Sequence, residues 1–431
     1  MNGLTRKQRE VLERFLTGQS DAEIADNIIC TKNNISKHIS NICKVFGLSN
    51  GEGEYYSYRH ELLDIFIDHQ PDLVNPDEIQ KRRLCAQEDP PFPGRGLMAG
   101  SRFYVQRSPI EKLSQVTIRQ PGGLLRLHAA RRMGKTSLLY YLLAYVRKEL
   151  DYKTATLSFY RLEDSQLESL DNFLRWFCET LSHELNLPSK VEDYWNKQIG
   201  CKSSCTRYIE NYILAKIDVP LVISMDDVDQ LFEYPTVAVG FFSLVRGWSE
   251  ESRMRPIWQK FRQIVSYSTD VYIDFPLNQS PFNVGRQVDF PPFDVYQVME
   301  LAQRYGGARL SRLGETEAEA LLELVEGVPH LIQLAIYHTY TEEIFLGDLL
   351  SGSQSAMRIY NNHLDSLLSR LERHTPLLMA LQEVVAAKGE PIRIEHSLAK
   401  RLTGLGVVRP VGWKVAMGCR IYQLYFQAQW S

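Results

Sequence analysis

The chain has 431 residues, of which 44% are hydrophobic and 23% charged, and its formal net charge is -3. This composition excludes a disordered or fibrous chain, and the length predicts two to four domains. A nearly neutral chain has no overall field that attracts nucleic acid, so contact with DNA requires a local patch. The charged N-terminus does not fit a signal peptide and no apolar run is long enough to span a membrane, so we expect a cytoplasmic protein with no membrane partner.

Residues 1–50 predict a compact helical domain. Apolar side chains recur at helical spacing at Val11, Leu12 and Leu16 and again at Ile24 and Ala25. A third helix is predicted over residues 33–46, which gives a helix-turn-helix inside an all-α domain. Residues 51–99 read as one more helical stretch followed by a proline-rich linker.

Short apolar runs alternate with helical runs over residues 100–295, which is typical of a parallel sheet covered by helices. Helices then predominate over residues 296–360, and residues 361–431 form a smaller unit with hairpin strands. The predicted fold class is therefore multi-domain α/β. The predicted strands cover 124–127, 154–159, 221–225, 263–268 and 287–290, and the predicted helices of the sheet region cover 136–149 and 167–185.

Residues 129–137 read A-A-R-R-M-G-K-T-S between an apolar strand and an apolar helix, which is the context of a phosphate-binding loop. Backbone N–H groups at the start of such a helix point towards phosphates. In this motif Lys135 contacts the β- and γ-phosphates and Thr136 is a ligand of Mg²⁺. Ala129 stands where the motif has its first glycine, and alanine fits there if the backbone has no positive φ.

A second apolar strand ends in carboxylates, at Asp226 and Asp227. It lies far enough downstream to leave room for one intervening strand and helix. Asp226 is predicted to hold the Mg²⁺ ion, and Asp227 is predicted to polarise the attacking water as a general base. The two motifs in this order predict binding of ATP with Mg²⁺, with Lys135 and Asp227 as the catalytic residues.

The chain resembles P-loop ATPases of the AAA and STAND types, and most closely a bacterial AAA-like family, over residues 100–427. The similar stretches are R-F-Y-V at 102–105, residues 131–139, D-D-V-D-Q-L-F-E-Y-P at 226–235 and N-Q-S-P-F-N-V-G at 278–285. At the position of Asp227 the family usually has glutamate. The aspartate side chain is one methylene shorter than that of glutamate.

This resemblance implies an ASCE-type ATPase core, a helical lid and a C-terminal winged helix with wing strands at 405–408 and 413–415. It places a γ-phosphate sensor at Ser268 or Thr269 and a turn near the adenine at Gly327 and Pro329. The residues predicted to bind nucleotide are Ala129, Arg131, Arg132, Met133, Gly134, Lys135, Thr136, Ser137, Thr269, Gly327 and Pro329.

The N-terminal domain resembles the LuxR-type helix-turn-helix at 4–5, 10–12, 18, 20, 23–25, 37–39 and 46–48. Its third helix is expected to enter the major groove of duplex DNA with Ile35, Ile39 and Ile42 facing inward. The alternative is a protein-docking module, because the domain is only mildly basic. The residues expected to face DNA are Lys32, Asn33, Asn34, Ser36, Lys37 and Asn41.

Three functions fit these features. The first is a regulatory ATPase whose nucleotide state controls assembly into a homo-oligomer and DNA engagement, with slow ATP hydrolysis. The second is an ATP-dependent adaptor of a bacterial conflict or mobile-element system, in which the N-terminal domain binds an unidentified protein partner. The third is a scaffold that holds nucleotide without hydrolysing it.

Overall fold

The computed structural model describes residues 4–19, 21–48, 59–76, 79, 90–268, 284–306, 310, 313–352 and 354–430. The chain divides into two compact units, Met1–Pro91 and Phe92–Ser431. Among the described residues, no helix is both long and apolar enough to cross a membrane.

The first unit is helical. Helix α1 begins after Thr5, whose hydroxyl accepts a hydrogen bond from the Gln8 N–H (3.3 Å) while the Gln8 side chain accepts one from the Thr5 N–H (2.9 Å). Within the described residues, the core contains Val11, Leu12 and other apolar residues of four α-helices. These helices are α1 Arg6–Leu16, α2 Asp21–Asn27, α3 Lys32–Val45 and α4 Arg59–His69.

Helix α4 is the helical stretch that the sequence predicted ahead of the proline-rich linker. Its side chains Leu62, Leu63 and Phe66 are buried in the same core as those of α1, α2 and α3. The ring of Phe66 contacts that of Phe46 edge to face, with 5.3 Å between the ring centroids. This helix therefore belongs to the first unit as a packed element.

The second unit is built on a parallel five-stranded sheet with the strand order β2-β3-β4-β1-β5. All five predicted strands are present, with ends that differ by up to two residues. Strands β3 and β4 are buried along their whole length, since helices cover both faces of the sheet. The strands are β1 Leu124–Ala129, β2 Lys153–Ser158, β3 Leu221–Asp226, β4 Phe261–Ser268 and β5 Arg286–Asp289.

Helices precede and connect these strands. The helix predicted over 167–185 begins at Leu170, because the Ser169 hydroxyl caps it by accepting a hydrogen bond from the Asn172 N–H (3.1 Å). A 3₁₀ helix, Val228–Glu233, follows β3 directly. The α-helices are α5 Ser108–Arg119, α6 Lys135–Glu149, α7 Asp164–Leu167, α8 Leu170–Glu184, α9 Val191–Tyr194, α10 Cys201–Tyr208 and α11 Pro235–Glu251.

Beyond β5 the described chain is helical except for one antiparallel hairpin of β6 Val408–Val411 and β7 Lys414–Met417. The first hairpin strand begins three residues later than predicted, because Gly406, with φ 78°, caps the preceding helix. The assignment of this region as a winged helix stays a prediction. The helices are α12 Val295–Tyr305, α13 Glu315–Val325, α14 Pro329–Tyr340, α15 Leu346–Leu350, α16 Gln354–Glu372, α17 Thr375–Ala386, α18 His396–Leu405 and α19 Arg420–Trp430.

Candidate functional site

The loop from β1 to α6 has the backbone of an anion-binding turn. Gly134 precedes α6 with φ 88°, and Arg132 also has a positive φ, of 69°. A Cβ at position 134 would lie 2.9 Å from Nη2 of Arg107, so the position favours glycine by both conformation and space. Ala129 has no positive φ. The missing first glycine is therefore compatible with this loop.

The Lys135 ammonium is held against its own loop. It donates hydrogen bonds to the carbonyl oxygens of Ala129 (3.0 Å) and Ala130 (3.1 Å) and to the Ser268 hydroxyl (3.1 Å). These acceptors are neutral, and a phosphate oxygen is a stronger partner for an ammonium group. The Lys135 ammonium is thus kept beside the end of β4. Ser268, at this strand end, is one of the two positions predicted to sense the γ-phosphate.

The start of α6 contacts the end of β3. The Thr136 hydroxyl donates a hydrogen bond to the carboxylate of Asp226 (3.2 Å), which is nearly buried. The other oxygen of that carboxylate accepts a hydrogen bond from the Asp227 N–H (3.1 Å). A hydroxyl and a carboxylate side by side are the oxygen ligands that Mg²⁺ takes together with phosphate oxygens.

Asp227 has a perturbed carboxyl group. Desolvation by burial, with the neighbouring Asp226 and Asp229 carboxylates, raises the pKa of Asp227 to about 6. Its backbone is left-handed, with φ 57°, a conformation that aspartate tolerates better than most residues. A half-buried carboxylate that ionises near neutral pH is suited to accept a proton.

Asp229 belongs to the acidic motif but has no predicted role. In the structure its side chain connects the phosphate loop to the end of β4. Only 5% of it is exposed, and its carboxylate accepts hydrogen bonds from the Ser268 N–H (3.2 Å) and from Nη2 of Arg131 (3.1 Å). The spacing of three residues between Asp226 and Asp229, across a 3₁₀ turn, was the available signal.

Arg107 also lines the site, although the sequence did not predict it as a site residue. Its buried guanidinium donates hydrogen bonds to the carbonyl oxygens of Met133 (3.0 Å) and Pro291 (3.2 Å) and lies over the ring of Phe290. Burial lowers the pKa of Arg107. It therefore joins the phosphate loop to the segment that leads from β5 into α12. Its position just after the R-F-Y-V stretch was the only hint in the sequence.

These groups line one cavity of about 370 Å³, within the usual range of ligand pockets. Of the predicted nucleotide-binding residues, Ala129 and Gly327 do not line it: Ala129 ends β1, and Gly327 accepts a hydrogen bond from the Phe293 N–H (2.8 Å) at a turn. Thr269 lies outside the described residues. The predicted residues that line the cavity are Arg131, Arg132, Met133, Gly134, Lys135, Thr136, Ser137, Asp226, Asp227 and Pro329.

Two histidines, His330 of α14 and His363 of α16, line the same cavity. Burial, followed by the positive charge of Arg132, lowers the pKa of His330 to about 3 and that of His363 to about 4. Nε2 of His363 lies 2.9 Å from the Tyr422 hydroxyl, and Arg132 itself donates a hydrogen bond to the Gly94 carbonyl (2.9 Å). The two histidines are thus neutral at pH 7, and the positive charge close to them comes from Arg132 of the phosphate loop.

The donor set fits a nucleoside triphosphate with Mg²⁺. The Lys135 ammonium, the N-terminus of α6 and the guanidinium groups of Arg131 and Arg132 line the cavity as partners for phosphate oxygens. Thr136 and Asp226 line it as ligands for the ion. Among the described residues, no three His, Cys, Asp or Glu side chains form a metal site of their own.

The third helix of the first unit presents the predicted DNA face. Ile35, Ile39 and Ile42 are buried as predicted, and the side chains of Lys32 and Asn33 lie outside the described residues. The remaining predicted contacts project from the exposed side of α3: Asn34, Ser36, Lys37 and Asn41.

The sequence profile of the AAA-like domain family matches residues 92–428. The chain belongs to this family. Residues 2–52 match the profile of bacterial regulatory proteins of the luxR family. The molecule is thus an AAA-like P-loop domain joined to a LuxR-type helix-turn-helix. A comparison with curated proteins gave no match.

Among solved structures, a Walker-type ATPase has a similar fold. A Walker-type ATPase of Pyrococcus abyssi has a TM-score of 0.56 at 15% identity, over 78% of this chain and 99% of that one. The ORC2 protein of Aeropyrum pernix has a TM-score of 0.43 at 12% identity, over 81% and 98%. Cdc6p of Pyrobaculum aerophilum has a TM-score of 0.40 at 12% identity, over 77% and 97%. At these identities the first of them shows the fold alone.

Proposed function

We propose that this protein is a regulatory ATPase of the STAND type, which binds ATP with Mg²⁺ and hydrolyses it slowly. The observation that carries the proposal is the convergence of Lys135, Thr136, Asp226 and Asp227 on a single cavity. These residues come from two loops about 90 positions apart, and their chemistry matches a phosphate-bound magnesium ion.

In this proposal Lys135 exchanges the carbonyl oxygens of Ala129 and Ala130 for phosphate oxygens, while Thr136 and Asp226 hold the ion. When bound, Mg²⁺ neutralises phosphate charge and polarises the phosphoryl group. Arg131 is fixed by Asp229 at the loop and adds positive charge beside the phosphates.

Asp227 accepts the proton of the attacking water. Its pKa of about 6 leaves it ionised at neutral pH but still basic enough to take up a proton. Because the side chain is one methylene shorter than the glutamate usual in the family, its carboxylate reaches less far. Slow hydrolysis, suited to a switch, follows from this shorter reach.

The nucleotide state is expected to control the lid and the C-terminal helices. Pro329 and His330 of α14, His363 of α16 and Tyr422 of α19 line the same cavity as the phosphate loop. A ligand that contacts both sides stabilises one arrangement of these elements over another. ATP-dependent assembly into a homo-oligomer and DNA engagement by the N-terminal helix-turn-helix would be the output.

The experiment is a mass measurement of the full chain with and without ATP and duplex DNA, together with a phosphate-release assay. The proposal predicts a larger species with ATP, DNA bound by that species, and slow phosphate release. Assembly without DNA binding would identify instead an adaptor that docks a protein partner. Tight nucleotide binding without phosphate release would identify a scaffold.

A further inference from the structure

The second unit begins with a segment that is neither helix nor strand and that lies against the phosphate loop. We call residues 92–97, with the sequence F-P-G-R-G-L, the strap. Residues 94–97 of the strap line the same cavity as Lys135 and Thr136. The sequence places these residues in the proline-rich linker and predicts no nucleotide ligand among them.

Two hydrogen bonds join the backbone of the strap to side chains of the phosphate loop. Nη1 of Arg132 donates to the carbonyl oxygen of Gly94 (2.9 Å). The Leu97 N–H donates to the hydroxyl oxygen of Ser137 (3.0 Å). Because these two bonds lie on either side of Arg95 in the chain, the loop itself sets where the backbone of Arg95 lies.

Between these bonds the strap approaches the start of α6 so closely that the position favours glycine. A Cβ on Gly96 would lie 2.7 Å from Cγ2 and 3.0 Å from Cβ of Thr136, well inside the optimal separation of two carbon atoms. The Thr136 side chain is β-branched, and its hydroxyl is bonded to Asp226, so it does not turn away freely. The strap therefore lies directly against a residue of the predicted Mg²⁺ site.

The strap also contacts α14. The ring of Phe92 packs edge to face against the rings of Tyr337 and His338, with 5.4 Å and 6.1 Å between the ring centroids. At the other end of the strap, Leu97 packs against the apolar core to which α12, α13 and α14 contribute. One short segment thus joins α14 to the phosphate loop.

Arg95 is the cation that the strap brings to the cavity. Its side chain is exposed, and within the part of the chain that the structure describes it has no hydrogen bond or ion pair. By contrast, Arg107, Arg131 and Lys135 line the same cavity and are bonded to protein acceptors. A guanidinium group without a protein partner is suited to bind phosphate oxygens, because its planar N–H groups match their geometry.

We propose that Arg95 is a further phosphate ligand of the nucleotide site, and that the strap closes on the bound nucleotide and links it to α14. The inference rests on the proposed nucleotide binding, since it adds a residue to that site. Because the backbone on both sides of Arg95 is already bonded to the loop, its side chain reaches the phosphates by a change of rotamer. Bound nucleotide then holds the phosphate loop and α14 together through the strap.

The test is equilibrium binding of a fluorescent ATP analogue with Mg²⁺ to the full chain. Arg95→Ala should weaken binding about tenfold, because a charged hydrogen bond to phosphate is lost. Arg95→Lys keeps the positive charge and should lose less affinity. The matched control is Arg207→Ala, which removes an exposed arginine of α10 that does not line the cavity, and it should bind as the wild type does. Thermal unfolding checks that the variants fold.

Hydrogen exchange of peptides that cover the strap is a second measurement. Saturating ATP with Mg²⁺ should slow the exchange of the amides of residues 94–97 in the wild type, because closure of the strap protects its backbone. In Arg95→Ala, with nucleotide again saturating, this protection should be smaller, since the strap no longer contacts the ligand.

Equal affinity of Arg95→Ala and the wild type would overturn the inference, as would an equal loss of affinity in Arg207→Ala. Strap amides that exchange equally fast with and without nucleotide would also overturn it. Binding by the wild type that is lost in Lys135→Ala shows that the proposed nucleotide site stands in these cases. Absence of nucleotide binding by the wild type would overturn the inference and the proposed function together.

Discussion

Nη2 of Arg131 lies 3.1 Å from the carboxylate of Asp229, so the phosphate loop is tied to the acidic loop after β3. The same carboxylate accepts the Ser268 N–H at the end of β4. Three neighbouring strands, β3, β4 and β1, therefore meet at one buried side chain. The position of the arginine depends on this carboxylate rather than on the loop alone.

Asp229→Asn should lower the free energy of unfolding by about 1–3 kcal/mol, because a buried charged hydrogen-bond partner of Arg131 is lost. Nucleotide affinity should fall as well, since Arg131 loses its fixed position. Chemical denaturation and titration with a fluorescent ATP analogue measure the two effects. Asp218→Asn, an exposed aspartate of the same unit, is the control. Unchanged stability and affinity in Asp229→Asn would show that the ion pair positions nothing.

Asp227→Asn should keep nucleotide bound and slow phosphate release by about 100-fold or more, because Asp226 remains for the ion while the base is lost. In the wild type the carboxyl has a pKa of about 6, raised from its usual value, so hydrolysis should fall as the pH drops through that value. A pH profile of phosphate release at saturating ATP checks this. Equal rates in the variant and the wild type would move the base to another residue.

The protein should lose stability in mild acid because of His330 and His363. Their folded pKa values of about 3 and about 4 lie below the ordinary 6.5, so the unfolded chain binds more protons once the pH falls below 6.5. Each histidine should remove about 1–2 kcal/mol of stability near pH 5. His363→Gln should reduce this loss of stability when denaturation is compared at pH 7 and pH 5. His183 is exposed, so His183→Gln should not reduce it. An identical acid response in wild type and His363→Gln would contradict the assignment.

The sequence predicted the sheet and the two loops because their signals are local. Each strand is a short apolar run with its turn chemistry nearby, and the phosphate loop is a single stretch around Gly134, Lys135 and Thr136. The inward face of α3, with Ile35, Ile39 and Ile42, was likewise predicted from helical spacing and is confirmed by burial.

The rest of the site depends on residues far apart in the chain. Arg107 contacts Pro291 across 184 positions and Arg131 contacts Asp229 across 98, and no periodicity within a window encodes such pairs. His363 and Tyr422 reach the cavity only because α16 packs against α14 and α19 packs against α16. The same holds for the packing of α4: the sequence predicted the helix, but not that Leu62, Leu63 and Phe66 join the core of α1, α2 and α3.

DNA binding by α3 predicts different effects for two exposed residues. Lys37→Ala removes a phosphate contact and should weaken binding to all sequences, with a salt slope lower by about one. Asn41→Ala removes a base contact and should cost about 1–3 kcal/mol on a preferred site but almost nothing on random duplex. Anisotropy with and without ATP measures both, since assembly presents several copies at once. Absence of salt-sensitive binding under either condition would leave the domain as a protein-docking module.

The central claim is that the cavity around Lys135 binds ATP, and the most direct measurement is equilibrium binding of a fluorescent ATP analogue with Mg²⁺ to the wild type and to Lys135→Ala. The control is Lys148→Ala, which removes an exposed lysine from the same helix. Lys135→Ala should lose nucleotide binding while its unfolding transition stays close to that of the wild type, because this lysine supplies charge to phosphates rather than core packing. Lys148→Ala should bind as the wild type does. Equal affinity in Lys135→Ala and the wild type would contradict the assignment of the phosphate loop.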